Sequence, residues 1–443
     1  MEGESVQISP RRRQEIVDAL RRGTVPQQGL DVMAVGLDRF ETAIDDELRS
    51  VGNGGAQFKA VRGEYGSGKT FFSRWLTERA KTAGFATAEV QISESETPLH
   101  KLETVYRRIV DSMSAPSFRD VIDGWFFVLD GDAREAGADD VSEATEQLLE
   151  QRLSAVSAQA PAFAQVLRAY RRAIAEGDRG HADALLAWLG GQPHVSAAVR
   201  RSAGVRGDID HFQAFGFLQG LLTVLRDSDY QGLVLVLDEV ETLQRVRSDI
   251  RERSLNALRQ LMDEVDGGRF PGLYLLMTGT PAFYDGPQGV QRLAPLAQRL
   301  HTDFGDPRFD NPRAVQIRLH GFDSSNLVEL GTRVRDIYAQ GASDPVRITS
   351  VVDDDYVSLL ASAVTGDLGG RTGVAPRLFL KKLVADVLDR VDQFADFDPR
   401  RDYALTVTDL ELTPAERQAA ALGRRPEPVS RADEIDLDID PES

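Results

Sequence analysis

The sequence contains no cysteine, and this absence excludes two kinds of site at once. Without cysteine there are neither disulfide bonds nor thiolate zinc sites. Histidine occurs only six times, and the six residues are too scattered along the sequence to suggest a metal cluster. No apolar run approaches the ~18 residues that a membrane-spanning helix needs. We therefore expect a protein without disulfides, a zinc site of this kind or a transmembrane helix.

Positive charge is also scarce, with 52 lysine and arginine residues against 70 acidic ones and a net charge of −18. This balance argues against a free monomer that binds DNA sequence-specifically, because phosphates are bound through a positive surface. It leaves open DNA held in the channel of an assembly, where a few basic loops suffice. The N-terminus, Met1-Glu-Gly-Glu4, is acidic and lacks the apolar segment of a signal peptide. We expect a cytoplasmic protein with no membrane partner.

The most informative pattern is the run Gly63-Glu64-Tyr65-Gly66-Ser67-Gly68-Lys69-Thr70-Phe71, which matches G-x-x-x-x-G-K-[ST]. An alternating stretch before it predicts a strand, and the residues after it open a helix. Glycines let successive backbone N–H groups point at a phosphate, and the helix N-terminus adds its positive dipole end. Lys69 is predicted to reach the β- and γ-phosphates, and the Thr70 hydroxyl to bind Mg²⁺. Residues 63–71 are therefore predicted to bind a nucleoside triphosphate.

Two adjacent carboxylates, Asp238 and Glu239, follow the apolar stretch 232–237. Such a stretch is typical of a strand buried on both faces of a parallel sheet. Taken alone, it could also be a strand that runs out into a polar turn. In combination with the phosphate loop, Asp238 is predicted to hold Mg²⁺ and Glu239 to activate the attacking water. Hydrolysis is the favoured interpretation, because a protein that only binds nucleotide does not need the glutamate.

Three further strands are predicted at 85–92, 272–278 and 314–319, which gives a parallel sheet of five strands. Thr278 ends the second of these strands. Its hydroxyl can hydrogen-bond the attacking water or the γ-phosphate, as at the sensor-1 position of AAA+ proteins. A threonine satisfied within a local turn is the alternative.

The chain is expected to contain a core interrupted by a long helical insertion. Its predicted parts are an N-terminal helical segment at 1–50, the core at 51–114 and 207–320, the insertion at 115–206, a helical lid at 321–396 and a C-terminal segment at 397–443. The acidic end, residues 433–443, is too polar to pack and is expected to be disordered. The arginines of the insertion either contact a partner or DNA, or belong to a solvated helical hairpin, which we favour.

Several segments together resemble one bacterial family, the ATP-binding proteins of BREX-type phage-defence clusters. They are Gly23-Thr-Val-Pro-x-x-Gly29-Leu30 after a helix, Ala34-Val-Gly-Leu-Asp-Arg-Phe-Glu41, the phosphate loop and Ala375-Pro376-Arg377. The resemblance covers residues 10–395 and implies an α/β fold of the AAA+ P-loop NTPase type. It also implies ATP and Mg²⁺ as cofactors, a homo-oligomer, other defence-system proteins as partners, and double-stranded DNA as a candidate partner.

Two arginines complete the site that the resemblance implies. Arg377 falls where the family keeps a sensor-2 arginine, although an ordinary first-turn arginine is the alternative. Arg299 is the candidate for an arginine finger that reaches a neighbouring subunit. It is preferred over Arg292 because it lies at a helix end just before the fifth strand.

The expected function is that of an AAA+ ATPase in a BREX-like phage-defence system, with Lys69, Glu239, Thr278, Arg299 and Arg377 as its catalytic residues. Two alternatives remain open. One is a phosphotransferase, against which the Asp238–Glu239 pair and the helical lid count. The other is a scaffold or switch that binds ATP without hydrolysing it. ATP turnover without an added acceptor, measured with and without DNA and partner proteins, would distinguish the three.

Overall fold

The computed structural model describes residues 8–113, 116–137, 141–154, 157, 160–367, 376–408, 410–412 and 416–417. The chain divides into two compact units, one built on Val25–Gly321 and the other on Gln7–Thr24 with Phe322–Ser443. The predicted disordered tail at 433–443 lies outside the described residues.

The first unit contains a parallel sheet of five strands, which confirms the predicted α/β fold and the predicted number of strands. The strands are β1 (Gln57–Arg62), β2 (Ala86–Gln91), β3 (Leu233–Asp238), β4 (Leu273–Gly279) and β5 (Gln316–Arg318). Their order in the sheet is β2-β3-β4-β1-β5. Strand β4 therefore separates β1 from β3, and Thr278 lies beside Val61 of β1.

Both faces of the sheet are covered, which explains why β3 is an uninterrupted apolar run. On one face, Val234 and Val236 pack with Phe72 and Trp75. On the other face, Leu235 and Leu237 belong to a larger cluster. The helices of the first unit outside the insertion are α2 (Asp38–Gly52), α3 (Lys69–Thr82), α4 (Leu102–Ser112), α10 (His211–Asp227), α11 (Ser248–Asp266), α12 (Pro281–Asp285) and α13 (Ala294–Leu300).

The described part of the region 115–206 is helical and shares the larger cluster of the sheet. Its helices are α5 (Phe118–Glu135), α6 (Val141–Arg152), α7 (Pro161–Ala175), α8 (Arg179–Leu189) and α9 (Ala197–Ser202). Local sequence sets their starts: Ser117 forms a capping box with Asp120, and Pro161 occupies the first turn of α7. Phe163 and Trp188 both contact Phe217 of α10, so aromatic packing joins these helices to the core.

The second unit is helical throughout its regular structure. It contains α1 (Pro10–Arg22), α14 (Ser324–Ala339), α15 (Pro345–Val351), α16 (Asp354–Asp367), α17 (Pro376–Lys381), a π-helical segment (Lys382–Leu388), α18 (Asp389–Gln393) and α19 (Pro399–Asp402). The predicted N-terminal segment 1–50 is thus divided between the units. Helix α1 belongs here because its apolar side is buried and Arg21 donates two hydrogen bonds to Asp389, at 2.6 and 2.8 Å. Among the residues that the structure describes, no helix is long and apolar enough to cross a membrane.

Candidate functional site

The phosphate-loop sequence forms the connection between β1 and α3. Gly66 and Gly68 have φ angles of 82° and 90°, a region that other residues rarely adopt. Gly63 leaves room for a side chain, since a Cβ at this position would lie 2.2 Å from the Ser67 hydroxyl and would displace it. The Gly63 amide donates to the carbonyl of Gly279 at 3.1 Å, which joins the start of the loop to the end of β4.

The side chains of the loop divide into an exposed rim and a buried base. Glu64 and Tyr65 are exposed, and Phe71 is half-buried at the start of α3. Ser67 is buried, and its hydroxyl has no hydrogen-bond partner among the described residues. The Lys69 ammonium donates to the carbonyls of Gly63, at 2.9 Å, and Glu64, at 3.2 Å. The lysine thus lies inside the curve of the loop, where a phosphate would be bound.

Lys69 is 9% exposed, and this burial lowers the pKa of its ammonium group. Four carboxylates oppose the effect: those of Glu241, Asp238, Glu64 and Glu239. A buried ammonium attracts an anion strongly because water screens its charge poorly, whereas the surrounding carboxylates repel the same anion.

The carboxylate of Asp238 is held at the end of β3 by three donors. The Thr278 hydroxyl donates to Oδ1, and the Glu239 amide donates to the same oxygen at 3.0 Å. The Thr70 hydroxyl donates to Oδ2 at 3.4 Å. Asp238 is 6% exposed and Thr278 is fully buried, so neither side chain moves freely.

The order of the strands explains why these residues meet. The carboxyl ends of β1, β4 and β3 are adjacent, and they carry the phosphate loop, Thr278 and Asp238 respectively. Thr278 lies between the other two because β4 lies between β1 and β3. A ligand at this edge is bound where open α/β sheets generally bind their ligands.

Glu239 has a left-handed backbone, with φ 58°, which is uncommon for a glutamate. Its amide lies 3.4 Å from the Thr278 hydroxyl, and its side chain is exposed. With this backbone conformation the two consecutive acidic side chains have different environments: Asp238 is buried, and Glu239 is exposed to solvent. A strained conformation of this kind is frequent at functional sites.

The donor groups fit a nucleotide phosphate. A buried hydroxyl without a partner, a buried ammonium and a glycine-rich turn at a helix N-terminus are all available to phosphate oxygens. The pair of Thr70 and Asp238 fits Mg²⁺, which uses one or two protein oxygens together with phosphates and water. Among the described residues, no group of three or more histidine or acidic side chains could hold a metal ion. A metal at this site would therefore also need oxygen atoms from the phosphates or water.

Arg299 lies in α13. Its guanidinium forms ion pairs with Asp263, at 2.5 Å, and Asp266, at 2.7 Å, both near the end of α11. The side chain is 39% exposed, so these are surface pairs. Arg292 lies in the turn Val290–Arg292, is exposed, and has no ion-pair partner among the residues described.

Arg377 lies in the second unit, at the start of α17. It donates to Glu416 at 2.9 and 2.5 Å and to the carbonyl of Glu411 at 2.5 Å. Both partners belong to the C-terminal segment. The arginine is therefore engaged within its own unit.

Sequence reasoning missed Glu241, whose carboxylate raises the pKa of Lys69 more than that of Asp238 or Glu239 does. It is buried in the turn Val240–Gln244 that follows β3. The available signal was the pattern Asp238-Glu-Val-Glu241, in which a third acid follows the pair so closely that it can turn back towards the same edge.

Comparison with protein-family models gives a match over residues 8–407 to a model described as BREX system ATP-binding protein BrxC/D. The matched range includes the phosphate loop, both carboxylates after β3, and Arg377. No curated protein matches the sequence.

Proposed function

The chain belongs to the family of BREX system ATP-binding proteins BrxC/D, and from this membership we propose that it is an AAA+ ATPase of a phage-defence system. Binding of ATP follows from the family. Hydrolysis and the AAA+ assignment are our inference from the site and the sheet. The strand order β2-β3-β4-β1-β5 supports the assignment, because it inserts a strand with a polar tip between the phosphate loop and the acidic strand.

One observation carries the proposal of hydrolysis. The Asp238 carboxylate accepts hydrogen bonds from both Thr70 and Thr278. Thr70 would bind the metal and Thr278 would contact the γ-phosphate, so one carboxylate connects the two roles. A site that only bound ATP would not need the exposed carboxylate of Glu239 beside them.

In the proposed site, Lys69 binds the β- and γ-phosphates while the amides of Gly66–Thr70 surround them. Thr70 and Asp238 would hold Mg²⁺, which would neutralise phosphate charge when bound. Glu239 accepts a proton from the attacking water through its exposed carboxylate. Thr278 orients that water or the γ-phosphate through its hydroxyl.

The remaining parts of the proposal concern the assembly. Arg299 acts on the ATP of a neighbouring copy of the chain in a homo-oligomer, and Arg377 couples the γ-phosphate to the second unit. The oligomer acts together with other BREX proteins on double-stranded DNA in the cytoplasm. No small-molecule acceptor takes part in this reaction. The effect of ATP hydrolysis is therefore a change in the assembly.

The test is turnover of ATP by the purified chain, with Mg²⁺ or with EDTA, in the absence and presence of duplex DNA. Mg²⁺-dependent release of phosphate without any added acceptor is the expected result. Turnover only with an added acceptor would favour a phosphotransferase. ATP binding without turnover, in the presence of DNA and the other proteins of the system, would favour a non-hydrolysing scaffold or switch.

A further inference from the structure

A buried carboxylate beside the phosphate loop has no role in the proposed hydrolysis. Glu241 is 4% exposed, and its Oε2 atom has no hydrogen-bond partner among the described residues. The carboxyl group accepts a hydrogen bond from its own backbone amide, but burial of the second oxygen without a donor is costly, so proteins seldom retain one without a reason.

Glu241 and Lys69 influence each other electrostatically. Burial raises the pKa of the Glu241 carboxyl, and the Lys69 ammonium is the largest influence in the opposite direction. In return, Glu241 is the strongest of the four carboxylates that oppose the effect of burial on Lys69. The ammonium nevertheless donates to the carbonyls of Gly63 and Glu64. Glu241 therefore acts on Lys69 through its field rather than through a hydrogen bond.

The charge of Glu241 also acts on Tyr284 of α12, which does not donate a hydrogen bond to it. Burial raises the pKa of the tyrosine, and the charge of Glu241 raises it further. The Tyr284 hydroxyl donates to the carbonyl of Val61 at 3.3 Å, so its proton is already used. The negative charge of Glu241 is thus left facing Lys69.

The same charge faces any anion that Lys69 binds. A phosphate at Lys69 brings further negative charge close to a buried carboxylate, where water screens the repulsion only weakly. We propose that Glu241 is a positioning residue that weakens phosphate binding at the loop and so promotes the release of nucleotide and product phosphate. The inference depends on the proposed function only in that Lys69 binds the phosphates.

The test compares Glu241→Gln with the wild-type chain by calorimetry with ADP and with ATP, in EDTA and in Mg²⁺. The amide keeps the shape and removes the charge. We expect both nucleotides to bind about tenfold more tightly in EDTA, the size expected for one unit charge at short range in a partly screened site. In turnover assays KM should fall for the same reason. A merely structural role would not increase affinity.

Two control variants isolate the position of the charge. Glu241→Asp keeps the carboxylate and should keep the wild-type affinity within about twofold. Glu135→Gln removes the same charge from the exposed end of α5 and should leave the affinity unchanged. If Glu241→Gln does not fold, Glu241→Met also removes the charge at similar length, and tighter binding is expected again.

Equal or weaker binding by folded Glu241→Gln or Glu241→Met would overturn the inference, with folding checked by thermal melting. This result leaves the proposed function intact if the wild-type chain binds ATP and Lys69→Ala does not. A wild-type chain that binds no nucleotide at all would overturn both the inference and the proposed function.

Discussion

Lys69 is the side chain on which nucleotide binding should depend most. Its ammonium is buried inside the loop, and nothing else in the described loop residues carries a positive charge. We expect Lys69→Ala to weaken ATP binding at least ~100-fold, because it removes a charge-assisted contact in a poorly screened site. Calorimetry measures the change. Lys81→Ala, an exposed lysine near the other end of α3, is the matched control and should bind as the wild type does.

Glu239 should affect turnover rather than binding. Its carboxylate is exposed and its backbone is held by Asp238 and Thr278, so replacing the oxygen by an amide nitrogen changes little else. We expect Glu239→Gln to keep the ATP affinity within about twofold while turnover falls by ~10²–10⁴, the usual contribution of a general base. Phosphate release and calorimetry measure the two quantities.

The control for this variant is Glu252→Gln, which changes an exposed glutamate of α11. It should hydrolyse ATP at the wild-type rate. Wild-type turnover by Glu239→Gln would mean that another group takes the proton, and Glu239 would no longer be the proposed base.

At the scale of elements, the C-terminal segment is attached to the π-helical segment through Glu411. The carboxylate accepts from Lys382 at 2.8 Å and from the Thr408 amide at 3.2 Å. Burial alone would raise the pKa of Glu411, but these hydrogen bonds outweigh it and lower the pKa to about 2. A depressed pKa means that the carboxylate stabilises the fold above its unfolded pKa and loses this effect as the pH falls towards 2.

We therefore expect Glu411→Gln to lower the free energy of unfolding by about 2–3 kcal/mol at pH 7. The difference from the wild type should shrink progressively below about pH 4.5. Urea unfolding of both chains at pH 7, 4.5 and 3 gives the comparison. A difference that stays constant over this range would show that Glu411 does not titrate at a lowered pKa in the folded chain.

The elements of the first unit could be predicted because each carries its own local signal. Apolar runs marked the strands, and the glycine pattern marked the turn between β1 and α3. The position of β4 beside β3 was expected only from the similarity to AAA+ proteins, since strand order depends on packing that no short segment encodes. Lys59 shows the same limit: it lies in β1, yet it is fully buried and pairs with Glu47 of α2 at 2.5 Å.

The candidate site could also be predicted only in part. Lys69, Thr70, Asp238 and Glu239 stand in patterns tied to phosphate chemistry, whereas Glu241 is recognised only from its burial and its missing partner. The insertion was harder to interpret, because sequence alone does not pair its arginines. In the structure Arg168 pairs with Glu150.

At the scale of the whole molecule, the open question is whether one copy of the chain completes the site of another. Arg299 is paired with Asp263 and Asp266 in the single chain. Exposed ion pairs are worth only ~0–1 kcal/mol each, so contact with a neighbouring ATP could readily replace them. The ion pairs of Arg299 within its own chain therefore do not argue against a role at the ATP site of a neighbouring chain.

A mixture of two inactive chains tests this role. Arg299→Ala should keep its ATP affinity and lose turnover by ~10³–10⁵, the effect of removing an arginine finger. Mixed with Glu239→Gln, it should recover activity, because some interfaces combine an intact Glu239 site with an intact arginine. A mixture of Lys69→Ala with Glu239→Gln should recover none, since both defects lie on the same side of the interface. If Arg299→Ala also fails to recover while mixed assemblies form, Arg292 or a cis role becomes the better assignment.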